Sequence, residues 1–531
     1  MSQPAKTEAN PSALVIGSGF GGAMAAHALI EAGWRVTLVE RGGWVARGPQ
    51  NWAPDAVGNL GPHYVGQDLY ADTTGGRRRA VGAYHCVGGP SVFYGGVSLR
   101  FREADFLPND AIDGDSGACW PFGYGTLEPH YARAESLLGV AGVAGEDPTE
   151  PWRSAPYPAP PLPLAPVSER IAAAARDLGL QPFRLPLALN TVERPGRHAC
   201  VACPTCDGYA CAIEAKNDLA TVILRPLLAR GLELHHDTVI TRLHVEADRV
   251  AAATGHHLPS GTPVRFGADH VVLAAGALAT PHLLLASGLA SRNPGGDALG
   301  RYLTRHKNEI LLGFFARRPD RVGEFHKQLG IHDLYFGAPG GPDARAGALQ
   351  QLPTPPEALA RDGLPWALKP LAPLVRHLTG LLLIAEDQPR AGNRVLLGTG
   401  TDRDGMPRLE IRHQYSERDL AAAAALRRAA RRILRRAGAL FLYRHVIDTW
   451  SHALGTVRMG VDPRSSLLDG DCRFRGLANL LVTDGSALPR AAGVNPSLTI
   501  AANALRAAER LASSEERRVG KECRSRWSPP H

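Results

Sequence analysis

No stretch of this chain approaches the roughly 18 consecutive apolar residues of a membrane-crossing helix, so no membrane span is expected. Before the first apolar run, Met1 to Ser12 hold one lysine and no hydrophobic block. A secretory signal needs both a basic start and an apolar centre, so a cytoplasmic location is the expectation. Basic residues never interleave with aromatics in a nucleic-acid-binding pattern, and the arginines are widely spread. The formal net charge of +8 therefore does not imply a nucleic-acid partner. The densest basic block is Arg427, Arg428, Arg431, Arg432, Arg435 and Arg436. It falls on a helix expected from Ser416 to Ala437, where Leu426, Ala430, Ile433, Leu434 and Ala437 form the apolar stripe. The arginines are then a solvated face. Asp402-Arg403-Asp404-Gly405 opens like a calcium loop but lacks the remaining ligand positions, and reads as a turn.

A length of 531 residues exceeds what one hydrophobic core fills, so two domains are expected. With 44% apolar and 21% charged residues the chain has the composition of a globular enzyme, not of a disordered segment. The segment Ser513 to His531 has no apolar periodicity, follows an alanine-rich helix and resembles a stray cloning sequence. It is read as a non-native tail and kept out of the fold argument. Pro151 to Pro166 reads as an extended connector.

The front of the chain carries a nucleotide motif. Ala13 to Ile16 is a short apolar strand, followed by Gly17-Ser18-Gly19-Phe20-Gly21-Gly22 and an alanine-rich helix from Ala23 to Ala32. A second strand, Arg35 to Val39, ends in Glu40. Gly17 permits the tight turn, Gly19 lets backbone approach a pyrophosphate, and Gly22 lets helix and strand pack closely. The helix N-terminus offers unpaired N–H groups and the positive end of its dipole to phosphate. Glu40 lies 18 residues beyond Gly22, where a carboxylate meets ribose hydroxyls. The motif implies a dinucleotide; alone it does not separate FAD from NAD.

Further blocks carry a resemblance. They are Gly88-Gly89-Pro90-Ser91-Val92-Phe93-Tyr94-Gly95, the run from Gly276 to Leu289 (GALATPHLLLASGL), and Gly300-Arg301-Tyr302-Leu303 followed by His306. Ser451-His452-Ala453-Leu454-Gly455-Thr456, Asp484-Gly485-Ser486 and Asn495-Pro496-Ser497-Leu498-Thr499-Ile500 close the series. In this order they resemble the glucose-methanol-choline (GMC) oxidoreductase family of flavoproteins, from near the N-terminus to about Ala512. The resemblance implies an α/β, Rossmann-like flavin-binding domain built from discontinuous segments (1–105, 212–305 and 440–512). It also implies an inserted α+β substrate-binding domain with an antiparallel sheet (106–211 and 306–439). His270 to Ala275 and Leu480 to Thr483 read as buried strands of the first domain's parallel sheet.

By resemblance the cofactor is FAD, and its expected contacts are Gly17, Gly19, Gly22, Glu40, Gly89, Ser91, Tyr94, Val239, Asp484 and Thr499. Asp484 also suits a simple Asp-Gly turn. Tyr94 stands where many relatives have Asn or a flavin-linked His, so a covalent histidyl link at that place is excluded and non-covalent binding is expected. The tyrosine either stacks on the flavin or packs in the protein. Trp120-Pro121 and a helix from Leu127 to Leu138 resemble a family block, with Glu135 expected as an exposed acid.

The resemblance places His452 and Asn495 at the reacting centre. Oxidising an alcohol requires a base for the hydroxyl proton and an acceptor for the hydride on the same carbon. Histidine, with an ordinary pKa of about 6.5, suits the base; the asparagine amide suits hydrogen bonding to the substrate oxygen. The expected activity is FAD-dependent oxidation of a small-molecule alcohol to an aldehyde or ketone. Oxygen, a quinone or an electron-acceptor protein would take the electrons. The alternative is a GMC-type lyase that cleaves hydroxynitriles and keeps FAD without redox change.

Four of the eight cysteines, Cys200, Cys203, Cys206 and Cys211, lie within twelve residues. The spacing fits zinc poorly because paired knuckles are absent. An iron–sulfur cluster and a purely structural group of thiols, with or without a disulfide, both remain open. The segment resembles a cysteine-rich stretch of long-chain alcohol oxidases, and also GMC dehydrogenases that pass electrons through iron–sulfur.

Overall fold

A computed structural model describes residues 10–53, 63–65, 69–76, 78–321, 323–337 and 345–526. The apolar run at the front forms the strand Ser12–Ile16, the centre of a five-stranded sheet. The order across the sheet is Leu480–Val482, His270–Leu273, Ser12–Ile16, Arg35–Val39, Glu233–His235. All four pairings are parallel, with Leu14 between Val271 and Thr37. Leu14, Val15, Val271, Val272, Leu480 and Leu481 are buried, as expected for strands covered on both faces. The strands come from chain segments hundreds of residues apart. From the central strand, one part of the sheet lies to each side, so the glycine turn after Ile16 sits where the winding reverses.

The glycine-turn helix Phe20–Glu31 packs against the C-terminal helix, which begins at Ser497, and Tyr124–Leu137 lies against the same C-terminal helix. Alanines such as Ala23, Ala26, Ala501, Ala504 and Ala508, all buried, allow these close approaches. The C-terminal helix runs from Ser497 to Arg526, past Ala512 and into the segment set aside above as a non-native tail. Adding residues to an existing helix is far easier than starting one, so no apolar periodicity is needed there. Arg473 donates to Ser514 Oγ (3.0 Å) and His270 Nε2 lies 3.5 Å from Glu515. Residues 527–531 and the Cys523 side chain lie outside the described residues.

A second sheet of six strands is antiparallel throughout. Its order is Phe441–Val446, Lys307–Phe314, Leu378–Ala385, Gly347–Leu352, Leu329–Ile331, Pro182–Arg184. One face carries the helix Glu417–Arg436: Leu311, Leu349, Leu381 and Leu383 pack with Leu426, Ala430, Ile433 and Leu434. Ser416 and Asp419 cap that helix reciprocally, at 3.2 and 2.8 Å. Arg428, Arg431, Arg432, Arg435 and Arg436 are exposed, as the apolar stripe implied; Arg427 instead pairs with buried Glu309 (2.8 Å). The opposite face, with Ala348, Leu382 and Ile384, joins the core containing Leu454, Ala491 and Val494. That face therefore looks toward the parallel sheet.

No helix or strand occurs from 151 to 165, in keeping with an extended connector. Asp402 Oδ1 accepts from the N–H groups of Asp404 (2.9 Å) and Met406 (3.0 Å), the geometry of a turn. Glu135 corrects the sequence reading. It is 1% exposed, bound in fork geometry by Arg100 (2.8 Å to each oxygen) and also by Arg153 (2.7 Å). The covering arginines come from distant parts of the chain, so helical position alone could not reveal the burial.

Candidate active site

At the end of the first strand Gly17 has φ +103°, and a side chain there would meet Ala274 O at 2.4 Å. Gly22 has no room either: its Cβ would sit 1.8 Å from Gly17 O. Gly19 differs, because a Cβ there would meet nothing within 4 Å. It stands at the N-terminus of the helix Phe20–Glu31, which no side chain caps and whose first turn has no acidic residue. Unclaimed N–H groups facing open space are what a pyrophosphate requires. Gly89 (φ +56°) closes the cradle from the second glycine loop, its missing Cβ 3.1 Å from Gly19 Cα. The two loops are tied by Ser18, whose Oγ accepts from Gly88 N–H (2.9 Å) and donates to Glu40 (2.6 Å). Glu40 also accepts from the N–H groups of Ser18 (3.0 Å) and Gly42 (2.9 Å). Burial pushes its carboxyl above the usual range, and these hydrogen bonds oppose the rise. The residues present fit a dinucleotide.

The remaining cofactor candidates occupy varied positions. Ser91 is turned inward, donating to Gly88 O (2.7 Å) and accepting from Leu219 N–H (3.0 Å). Asp484 accepts from the N–H groups of Gly276 and Ser486 (both 2.8 Å) and from Thr280 Oγ1, so its carboxylate locks the turn after the strand His270–Leu273. Thr499 meets Tyr131 at 2.7 Å. Val239 lies buried in the strand Thr238–Glu246, opposite His256. Tyr94 packs its ring on Phe20 (centroids 5.7 Å) and donates to Asn217 O (3.2 Å).

His452 and Asn495, 43 residues apart, come together: Asn495 Nδ2 lies 3.5 Å from His452 Nε2. Both are partly exposed. The other side of each is held by a group the sequence did not single out. Gln350, on the strand Gly347–Leu352, donates to Asn495 Oδ1. His306 Nδ1 lies 2.9 Å from His452 Nδ1, with the rings edge-on at 89°. His306 is fully buried and its Nε2 faces the carbonyls of Ala492 (2.9 Å) and Ala491 (3.2 Å). Enclosure by surrounding atoms, then the neighbouring His306 and Lys327, holds His452 well below the usual histidine range. It is therefore a neutral imidazole at ordinary pH, able to accept a proton. His306 stands in the Gly300-Arg301-Tyr302-Leu303 block, which was the one signal available; nothing local marks Gln350.

The four clustered cysteines are free thiols, as are the other described ones. Among the described residues no three His, Cys, Asp or Glu side chains converge on a metal position. The iron–sulfur reading of Cys200, Cys203, Cys206 and Cys211 is thus not supported. Burial pushes Cys200 to about 11 and Cys206 to about 12. What holds the loop is Lys216, whose buried ammonium donates to Cys206 O and Tyr209 O (both 2.7 Å).

Two family models match, both described as GMC oxidoreductase, over residues 160–308 and 389–504. The paromamine 6'-oxidase of Streptomyces fradiae is 31% identical over 94% of this chain and 91% of its own length. The chain belongs to the GMC oxidoreductase family. The 2-methyl-1,2-propanediol dehydrogenase of Mycolicibacterium austroafricanum is 27% identical over 93% of this chain and 94% of its own. In fold, this GMC oxidoreductase is similar to a crystal structure of pyridoxine 4-oxidase from Mesorbium loti (TM-score 0.64, 20% identity, 94% of this chain and 99% of that one). The family implies FAD. These relatives are oxidases and dehydrogenases, so this GMC oxidoreductase is an enzyme, and the lyase alternative gains no support from them. Among the described residues no helix is long and apolar enough to cross a membrane.

Proposed function

We propose that this GMC oxidoreductase oxidises a primary or secondary alcohol, with His452 as proton acceptor and Asn495 as the hydrogen-bond donor to the reacting oxygen. The observation that carries the reading is the meeting of His452 Nε2 and Asn495 Nδ2 at 3.5 Å, with His452 kept neutral by its surroundings. A hydroxyl oxygen set between them would accept from Asn495 and give its proton to His452. The spacing is long for a direct bond, as is common before substrate binds. Non-covalent FAD, held at Gly17, Gly19, Gly22, Glu40 and Gly89, would supply the acceptor for the hydride leaving the carbinol carbon.

The sheet face above the pair points to a polyhydroxylated or amino-bearing substrate. Asn308 and Gln350 share that face with Leu382 and Ile384, and Asn308 Oδ1 and Gln350 Oε1 are buried without a protein partner. Both unpartnered atoms are acceptors, so the complementary ligand groups are hydroxyl or ammonium donors. Relatives named for paromamine, 6'''-hydroxyparomomycin C and 2-methyl-1,2-propanediol accord with that chemistry. The test is an anaerobic titration of FAD-loaded enzyme with simple alcohols, diols and aminocyclitol glycosides. Bleaching of the flavin band by one class establishes the activity and its substrate class. Full flavin occupancy with no bleaching by any of them overturns it.

A further inference from the structure

Four side chains at the site form a hydrogen-bond series whose polarity is set at one end by groups that can only accept. Ala491 O and Ala492 O lie 3.2 and 2.9 Å from His306 Nε2. A backbone carbonyl has no proton to give, so Nε2 of His306 must carry one. In neutral His306 the other nitrogen, Nδ1, is then an acceptor. It lies 2.9 Å from His452 Nδ1, which must therefore carry the proton between the two rings. The lone pair of His452 is left on Nε2, the nitrogen facing Asn495 Nδ2. Gln350 agrees from the other end: donating to Asn495 Oδ1, it turns the asparagine N–H₂ toward His452.

We propose that His306 is a positioning residue that fixes His452 in the Nδ1–H tautomer, so that Nε2 is the atom that takes the substrate proton. The inference rests on the alcohol-oxidation reading for its purpose, though not for its geometry. When Nε2 of His452 gains the hydroxyl proton, the new charge on the ring strengthens its Nδ1–H bond to His306, which itself gains no proton. Other charged groups near the pair are Lys327, which faces His452, and Asp387, which faces His306.

The backbone supports a role that requires accurate placement. His306 has φ +62° and Ala492 φ +55°, conformations that residues with a Cβ adopt only when surroundings impose them. Asp387 imposes the first by accepting from the N–H groups of Arg305 (3.0 Å) and His306 (2.9 Å), and Tyr415 donates to His306 O (2.9 Å). Glu386 imposes the second, accepting from Ala492 N–H (2.9 Å).

The experiment uses FAD-loaded enzyme labelled with ¹⁵N-histidine, with the His452 signals identified by their loss in His452→Gln. In the parent, His452 should show a protonated Nδ1 and an unprotonated Nε2. His306→Leu removes the acceptor, and His452 should revert to the Nε2–H form favoured by a free imidazole. His306→Gln keeps an acceptor oxygen beside His452 and should keep the parent tautomer. In flavin reduction by the alcohol substrate, His306→Leu should lose roughly 10²-fold or more in kcat with KM little changed, a wrong-tautomer effect, and His306→Gln should recover most of it. An unprotonated Nδ1 on His452 in the parent, or an unchanged tautomer in His306→Leu, overturns the inference. The expected tautomers in an enzyme that no alcohol reduces would uphold the positioning role and refute the alcohol reading.

Discussion

Glu386 and Asp387 are neighbours in the chain, yet their carboxylates hold two different walls of the site. Glu386 accepts from Ala492 N–H and Asp387 from His306 N–H, each at 2.9 Å. They follow the strand Leu378–Ala385 and so transmit the position of the antiparallel sheet to the loops around His452. Both loops carry a non-glycine residue at positive φ, a conformation that costs on the order of 1–3 kcal/mol unless the surroundings fix it.

Asp387→Ala should therefore reduce both stability and turnover. Burial tends to raise the Asp387 carboxyl, but the hydrogen bond and charge of His413 outweigh it and leave the group below the usual range. Removing an ionised acceptor of buried N–H groups costs about 1–3 kcal/mol. Urea midpoints give the first quantity and anaerobic flavin reduction the second. Unchanged reduction would detach the clamp from catalysis.

His452→Ala should bind FAD normally and lose about 10²–10⁴-fold in alcohol-driven reduction, the usual worth of a positioned base. Stopped-flow absorbance checks it. Near-parent rates would remove His452 from the proton-acceptor role.

Gly19→Ala and Gly22→Ala should fail differently. Gly19 has φ −69° and open space around its missing Cβ, so alanine fits the folded chain but intrudes on the pyrophosphate. FAD affinity should fall by roughly tenfold or more, about 1.4 kcal/mol, while the apoprotein's thermal midpoint holds. At Gly22 the Cβ meets Gly17 O at 1.8 Å, and overpacking should cost about 1–3 kcal/mol of stability. Equal loss of stability in both would show that Gly19 does not face the cofactor.

Glu135→Ala leaves Arg100 and Arg153 buried without their carboxylate. Breaking a buried pair from one side costs about 3–5 kcal/mol, visible in denaturant unfolding. An effect under about 1 kcal/mol would place Glu135 among surface acids.

Stability should also fall as the solution is acidified. Burial, then Arg41 and Arg403, holds His85 at about 3; burial, then Arg506 and Arg133, holds His130 at about 4. The unfolded chain takes up these protons near pH 6.5, the folded one only much lower. Their contribution is thus complete above about pH 6.5 and is lost as pH falls toward the folded values. His130→Gln should flatten the pH dependence of the urea midpoint between those limits, and an unaltered slope would contradict the assignment.

The front of the molecule was legible because its information is local. Gly17, Gly19, Gly22 and Glu40 lie within one strand–helix–strand unit, and each residue type follows from a turn, a close approach or a carboxylate at a strand end. The helix Glu417–Arg436 was legible for the same reason: apolar spacing and a Ser416 cap are properties of one segment. The separated blocks from Gly88 to Ile500 were legible through their order, which resembles one family and located His452 and Asn495. The reading of Glu135 as exposed failed because the arginines that cover it lie 35 and 18 residues away. The sequence by itself determined the dinucleotide turn, the two sheet types and the choice of His452 and Asn495 as the candidate pair. Only the tertiary structure decided that His306 faces His452 across 146 residues and Gln350 faces Asn495 across 145. Those contacts arise where the two sheets meet, and a hydrogen bond between residues so far apart leaves no trace in the pattern of either segment.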